Sequence, residues 1–202
     1  QGTTTQNIGI DLDTTVNNNI ISSNTMSTQG STDNYGIYLA STGDRNTIVN
    51  NTVNTNGTPS NYGIYLTTSI TNTQVRNNTV HAKGLTTDNA GIRMVLATNN
   101  NVSNNDIDTN GTNSNYGIQL FNTNQNNFVR NNVINVRATG TDNDGIVLST
   151  TNSNNTIGNN NIVVRASGSG RGVRIYNSDN TTVSNNTVRN LGSGSDNYGM
   201  SI

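Results

Sequence analysis

Cysteine, tryptophan and glutamate are absent from this chain of 202 residues, and proline and histidine occur once each. Without cysteine there are neither disulfides nor thiolate metal sites, and the redox compartment stays open. Ten Lys and Arg against eleven acidic residues give a net charge of -1, which supplies no field to draw in nucleic acid or an anionic membrane. No run of 18 apolar residues occurs, and Gln1 opens neither a basic nor an apolar targeting segment, so no membrane insertion is expected. Hydrophobic residues make up 29% of the chain and 44 residues are Asn, a balance that taken without regard to order matches a disordered segment. Strong helix formers are scarce, and Asn, Thr, Ser and Gly disfavour helix.

Order overrides composition. The stretch Asn34-Tyr35-Gly36-Ile37-Tyr38-Leu39 returns as Asn61 to Leu66 and as Asn115 to Leu120, and in looser form around Gly9, Gly91, Gly145, Gly172 and Gly199. The eight glycines are separated by 27, 27, 28, 26, 28, 27 and 27 residues, the mark of one supersecondary unit stacked on copies of itself. A single array over residues 1–202 follows, with no linker. Gln1-Gly2-Thr3 aligns with mid-repeat residues such as Gly30-Ser31-Thr32, and Met200-Ser201-Ile202 stops inside the key motif. The expectation is a piece of a longer chain or of an assembly, with flanking coils or end-to-end self-association at its ends.

Within one repeat, Ile37 and Leu39 flank Tyr38 in an alternation of period two, a short strand that sends Ile and Leu inward. Eleven or twelve residues after each Gly comes aliphatic-x-Asn-Asn-x-aliphatic, as in Ile48 to Val53. Its fourth position is always Asn: Asn24, Asn51, Asn78, Asn105, Asn132, Asn160 and Asn186. Asn tolerates left-handed backbone, and its amide both donates and accepts, so these residues predict a buried asparagine ladder at a sharp turn. A third strand follows, with Thr55, Ala82, Thr109, Val136 and Val164 inward, then a Gly- and Ser-rich turn. The fold predicted is all-β: a right-handed parallel β-helix of about seven coils, three short strands and about 27 residues per coil, the hand following the crossover preference.

Leucine-rich repeats have similar lengths but need more Leu and a bulkier convex segment, and calcium-binding nonapeptide repeats need G-G-x-G-x-D. With those set aside, the Asn-rich short repeats resemble the right-handed parallel β-helix group, the pectate-lyase-like superfamily. That resemblance covers the whole chain and implies the fold. For activity it implies polysaccharide chemistry in a loop-walled cleft, with paired carboxylates or calcium and a basic residue. The signatures N-T-D, D-D, G-H-G and R-I-K are missing; Arg174-Ile175 stands alone before Tyr176. An epimerase-like Y-G-F-D-P-H pattern is met only by its first two residues in Tyr35-Gly36 and Tyr62-Gly63, while Asp11 stands at the acid's place without the His. No catalytic residue is carried over.

Outward positions form ladders of their own. Tyr38, Tyr65 and Arg93 follow one another in the column between the inward residues, a surface suited to stacking against a sugar ring. On the third strand Lys83, Arg137 and Arg165 form a basic set able to attract an acidic glycan, with His81 beside Asp108. Asp33, Asp88, Asp142 and Asp196 recur every second coil at the turn before the key motif, which spaces like charges and leaves calcium as the one cofactor to consider. Coils without long insertions favour scaffold over catalyst. The expectation is a structural or adhesive, glycan-compatible segment at the cell surface or outside the cell, the alternative being a lyase, hydrolase or epimerase whose cleft lies partly in flanking coils.

Overall fold

A computed structural model describes residues 6–202; Gln1-Gly2-Thr3 lies outside the described residues. No helix occurs among them, and every strand pairing is parallel. Three walls run the length of the array. Wall A stacks eight strands, Asn7–Leu12, Asn34–Leu39, Asn61–Thr67, Thr87–Val95, Asn113–Phe121, Asn143–Ser153, Gly170–Asp179 and Asn197–Ser201. Wall B stacks seven three-residue strands from Ile20–Ser22 to Thr182–Ser184, and wall C seven from Thr25–Gly30 to Thr187–Asn190. The three-strand coil is therefore as the pattern predicts, with one addition. Between walls A and B a fourth line of pairing joins Val16–Asn17, Gly43–Asp44 and Ile70–Thr71 and continues as single bridges through Thr98, Gln125 and Ser153. Two-residue pairings without alternating apolar residues leave no periodic signal, so this side is invisible in the sequence.

The core is a column of stacked aliphatics. Ile37 and Leu39 pair in register with Ile64 and Leu66, then Ile92 and Met94, Ile118 and Leu120, and Ile146 and Leu148, all fully buried. Stacking of identical positions means one inward side chain per strand serves two coils, so few apolar residues close a continuous core. Thr28, Thr55 and Thr109 occupy the inward column of wall C that Val136 and Val164 fill further on, and their hydroxyls are buried without a hydrogen bond.

The invariant glycine of each repeat has a steric cause. A Cβ on Gly63 would lie 2.1 Å from Val80 Cγ1 and 2.6 Å from the Gly91 carbonyl oxygen, distances no methyl group tolerates.

The predicted asparagine ladder stands at the turn between walls B and C. Asn51 Nδ2 donates to Asn78 Oδ1 at 3.0 Å and to the Ile21 carbonyl at 2.9 Å, and the Asn51 backbone N–H donates to the same Asn78 oxygen. The pattern repeats from Asn24 to Asn186. The two Asn of the motif divide the work. The left-handed residue is the third position, Asn50 at φ 57° with Asn77, Asn104, Asn131 and Asn159 alike, whereas the fourth position carries the ladder from ordinary backbone.

Two further ladders run through other corners. Asn34, Asn61, Asn89, Asn115 and Asn143 link side chain to side chain at the turn from wall C to wall A, with Nδ2 to Oδ1 distances of 2.7 to 3.0 Å. Before wall B, Asn19 bonds Asn46, and Asn100 bonds Asn127 and then Asn155.

Candidate functional site

Wall A presents two outward columns. The first, in register, reads Ile8, Tyr35, Tyr62, Ala90, Tyr116, Asp144, Arg171 and Tyr198; the second reads Asp11, Tyr38, Tyr65, Arg93, Gln119, Val147, Arg174 and Ser201. Four tyrosines form a lattice at the N-terminal end. Tyr35 and Tyr62 stack with centroids 5.2 Å apart and planes 5° from parallel; Tyr38 and Tyr65 stack at 5.2 Å and 26°. Tyr62 meets Tyr65 edge to face at 5.1 Å. The first pair is buried and the second half-exposed, so Tyr35 and Tyr62 hold the rings that solvent meets. Burial pushes the pKa of the Tyr35 and Tyr62 hydroxyls well above that of an ordinary phenol, so these two stay neutral.

Arg93 closes this platform. Its guanidinium lies 4.8 Å from the Tyr62 ring centroid and 5.1 Å from that of Phe121, cation–π distances. Nη1 is 3.0 Å from Asp88 Oδ1, 3.0 Å from Tyr62 Oη and 2.7 Å from Gln119 Oε1. The Tyr62 hydroxyl also bonds Asp88. Arg93, expected to reach a ligand beside Tyr38 and Tyr65, is mostly buried and fixes the wall from within.

A second charged centre spans the second and third coils beyond Arg93. Asp142 and Asp144 face Arg171 and Arg174: Arg171 Nη1 is 3.4 Å from Asp142 Oδ1 and 3.5 Å from Asp144 Oδ1, and Arg174 Nη1 is 3.3 Å from Asp142 Oδ1 and 3.7 Å from Asp144 Oδ2. The Asp144 side chain is fully buried and its Oδ2 has no hydrogen bond. Burial pushes its carboxyl up to about 6, against the lowering pull of the two arginines.

The remaining sequence candidates sit elsewhere. Lys83, Arg137 and Arg165 share an outward column of wall C that reads Asn56, Lys83, Asn110, Arg137, Arg165, so they do not join Tyr38 and Tyr65. Arg137 Nη1 binds both oxygens of Asp108 at 2.8 and 2.9 Å, while His81 Nδ1 stays 3.9 Å from Asp108 and makes no hydrogen bond. Asp88 and Asp142, two of the turn carboxylates weighed for calcium, are engaged by arginine. Asp144 and Arg171 carry no mark in the sequence motifs, and Tyr35 and Tyr62 enter them only through the partial epimerase-like match. Their signal is the residue just before each glycine, which forms an outward column as regular as the one after it.

The model described as periplasmic copper-binding protein (NosD) matches residues 2–139. The chain belongs to the NosD family. No curated protein and no solved structure matches it. The NosD name raises copper, which takes imidazole, thiolate or thioether donors. This chain offers one His and no Cys. Met26 and Met94 point into the core, the exposed Met200 lies in the last strand of wall A, and His81 points out of wall C several coils earlier, so these donors do not converge. Among the described residues no three His, Cys, Asp or Glu cluster as a metal site. The residues present do not fit the copper of the NosD description.

Proposed function

We propose that this segment is a non-catalytic β-helical scaffold outside the cytoplasm whose wall A binds polysaccharide along the helix axis. The half-exposed Tyr38 and Tyr65, stacked in register on a buried pair of tyrosines, carry this reading. Because the two rings stack on each other, they turn their edges and hydroxyls outward, a rigid surface of apolar and hydrogen-bonding groups that sugar C–H and hydroxyl groups can meet at low entropic cost. Arg93 and Asp88 stiffen the platform, which reduces the ordering needed on binding. Periplasmic placement in the family's description agrees with exposure to cell-envelope glycans. Among the described residues, coils of near-constant length bring no loop up to form a catalytic cleft beside the platform.

Affinity electrophoresis through gels containing different polysaccharides tests it. Retardation by at least one glycan should fall several-fold in Tyr65→Ala and Tyr38→Ala, with both variants still melting cooperatively. Retardation unchanged in both variants, or none on any glycan, would remove the proposal.

A further inference from the structure

The platform of tyrosines explains how a ring could be held, and it says nothing of which sugar. The second centre on the same wall does. Contact length sets Arg171 and Arg174 apart from the other paired arginines. Their contacts to Asp142 and Asp144 run from 3.3 to 3.7 Å, whereas charge-assisted pairs close to about 2.7–2.9 Å, and Arg137 on wall C does close, onto both oxygens of Asp108. The hydrogen bonds of both residues to these carboxylates use Nη1, as those of Arg137 do, but at these longer distances they leave the pairing loose. Asp144 Oδ2, fully buried and hydrogen-bonded to nothing, faces Arg174. The centre is therefore built and under-satisfied at the same time. It shares wall A with the tyrosines, and Arg174 stands in the same outward column as Tyr38 and Tyr65.

We propose that Arg171 and Arg174 form a subsite for the carboxylate of an acidic sugar, so that wall A selects uronic-acid-containing polysaccharide over neutral glycan. The inference rests on the glycan reading of wall A and adds its specificity. The groups facing Asp144 are Asp142 from the turn before its strand, Tyr116 from the preceding coil and Arg171 and Arg174 from the next. Two carboxylates balance two guanidiniums when all are ionised. Protonation of Asp144 leaves one positive charge, and a uronate stays ionised at that pH. Binding of the acidic sugar therefore strengthens as pH falls from 7 to 5.

The purified chain is titrated with alginate oligosaccharides, with cello-oligosaccharides as the neutral probe and with inorganic phosphate as a competitor, at pH 5 and pH 7. Expected is at least ten-fold tighter binding of alginate than of the neutral probe at pH 5. That preference should weaken at pH 7 and be lost in Arg174→Gln, with neutral binding kept. In Asp144→Asn the preference should persist at both pH values. Lys83→Gln on wall C serves as a control for general charge attraction and should change nothing. Equal binding of the two probes, or a loss in Lys83→Gln as large as in Arg174→Gln, overturns the acidic-sugar subsite and leaves the glycan wall standing. Phosphate binding that matches alginate binding also overturns it, as a bare anion site. Failure of both probes to bind defeats the subsite and counts against the wall itself. Should Arg174→Gln not fold, the pH profile of the unaltered protein decides: alginate affinity that is flat or rises towards pH 7 overturns the proposal.

Discussion

The backbone N–H of Thr73 donates to Asn100 Oδ1 at 2.8 Å, yet Thr73 has no amide to pass the chain of bonds back to Asn46. Fully buried, it interrupts a ladder that is otherwise Asn at every step from Asn19 to Asn155. Asn46 Nδ2 bonds only the Val16 carbonyl, while Asn100 Nδ2 reaches both Ile70 O and Asn127 Oδ1. Thr73→Asn should complete the ladder and raise stability by about 1 kcal/mol, the usual net value of an intramolecular hydrogen bond. Denaturant unfolding at constant slope checks it. A midpoint equal to or below the parent's would mean that the larger side chain does not fit.

Asn105→Ala removes a side chain bonded to Asn132 Oδ1 and Val75 O and accepting from the backbone and amide of Asn78. Each buried group left unpaired costs on the order of 1–3 kcal/mol. The expected loss is in or above that range, against less than about 0.5 kcal/mol for Lys83→Ala on the exposed face. Equal melting of Asn105→Ala and the parent would contradict the burial of this turn.

Thr109→Val addresses a different defect. The Thr109 hydroxyl is buried with no partner, and burying a hydroxyl without a bond costs about 1–3 kcal/mol on mutational scales. Val136 fills the next coil's place in the same column, fully buried. Stabilisation of roughly 1 kcal/mol is expected, and destabilisation by calorimetry would show that the hydroxyl has a partner in solution.

Much of this architecture is legible because the repeat prints each position up to eight times. The period, the inward pairs such as Ile64 and Leu66 and the ladder from Asn24 to Asn186 all rest on repetition. What stayed hidden lies where repetition fails or where Asn is too common to stand out. The ladder through Asn46 and Asn100 is broken at Thr73, and the one through Asn61 falls on the first residue of the Asn-Tyr-Gly motif, where nothing marks it apart. Arg93 was placed in its column by the pattern, but its partners Tyr62, Asp88 and Gln119 come from three coils. Such contacts depend on which way each side chain bends across neighbouring coils, which period alone does not encode.

Glycines offer a test with an internal control. Gly63→Ala would press a methyl onto Val80 and the Gly91 carbonyl, an overpacking penalty of about 1–3 kcal/mol or more. Gly158 lies in a wall B strand where a Cβ would have nothing nearer than Ser184 at 3.6 Å. Gly158→Ala should be neutral or gain roughly 0.4–1 kcal/mol by restricting the unfolded chain. The two variants melting alike would defeat the steric account of the repeat glycine.

Asp144 makes stability depend on pH in a direction opposite to an ordinary salt-bridged carboxylate. Burial raises its folded-state pKa from 3.8 to about 6, so between those values the folded protein holds a proton that the unfolded chain has released. Stability from this group therefore rises as pH falls through about 6, levels off below 3.8, and is lost again as the carboxyl ionises on the way to pH 7. At 1.36 kcal/mol per pKa unit the swing is on the order of 2–3 kcal/mol at most. Asp144→Asn, which keeps the shape and cannot ionise, should be more stable than the parent at pH 7 and close to it at pH 4. Denaturation midpoints at the two pH values give the difference directly. A parent whose advantage at low pH survives intact in Asp144→Asn would mean that another group titrates there, and that the two arginines already hold Asp144 ionised.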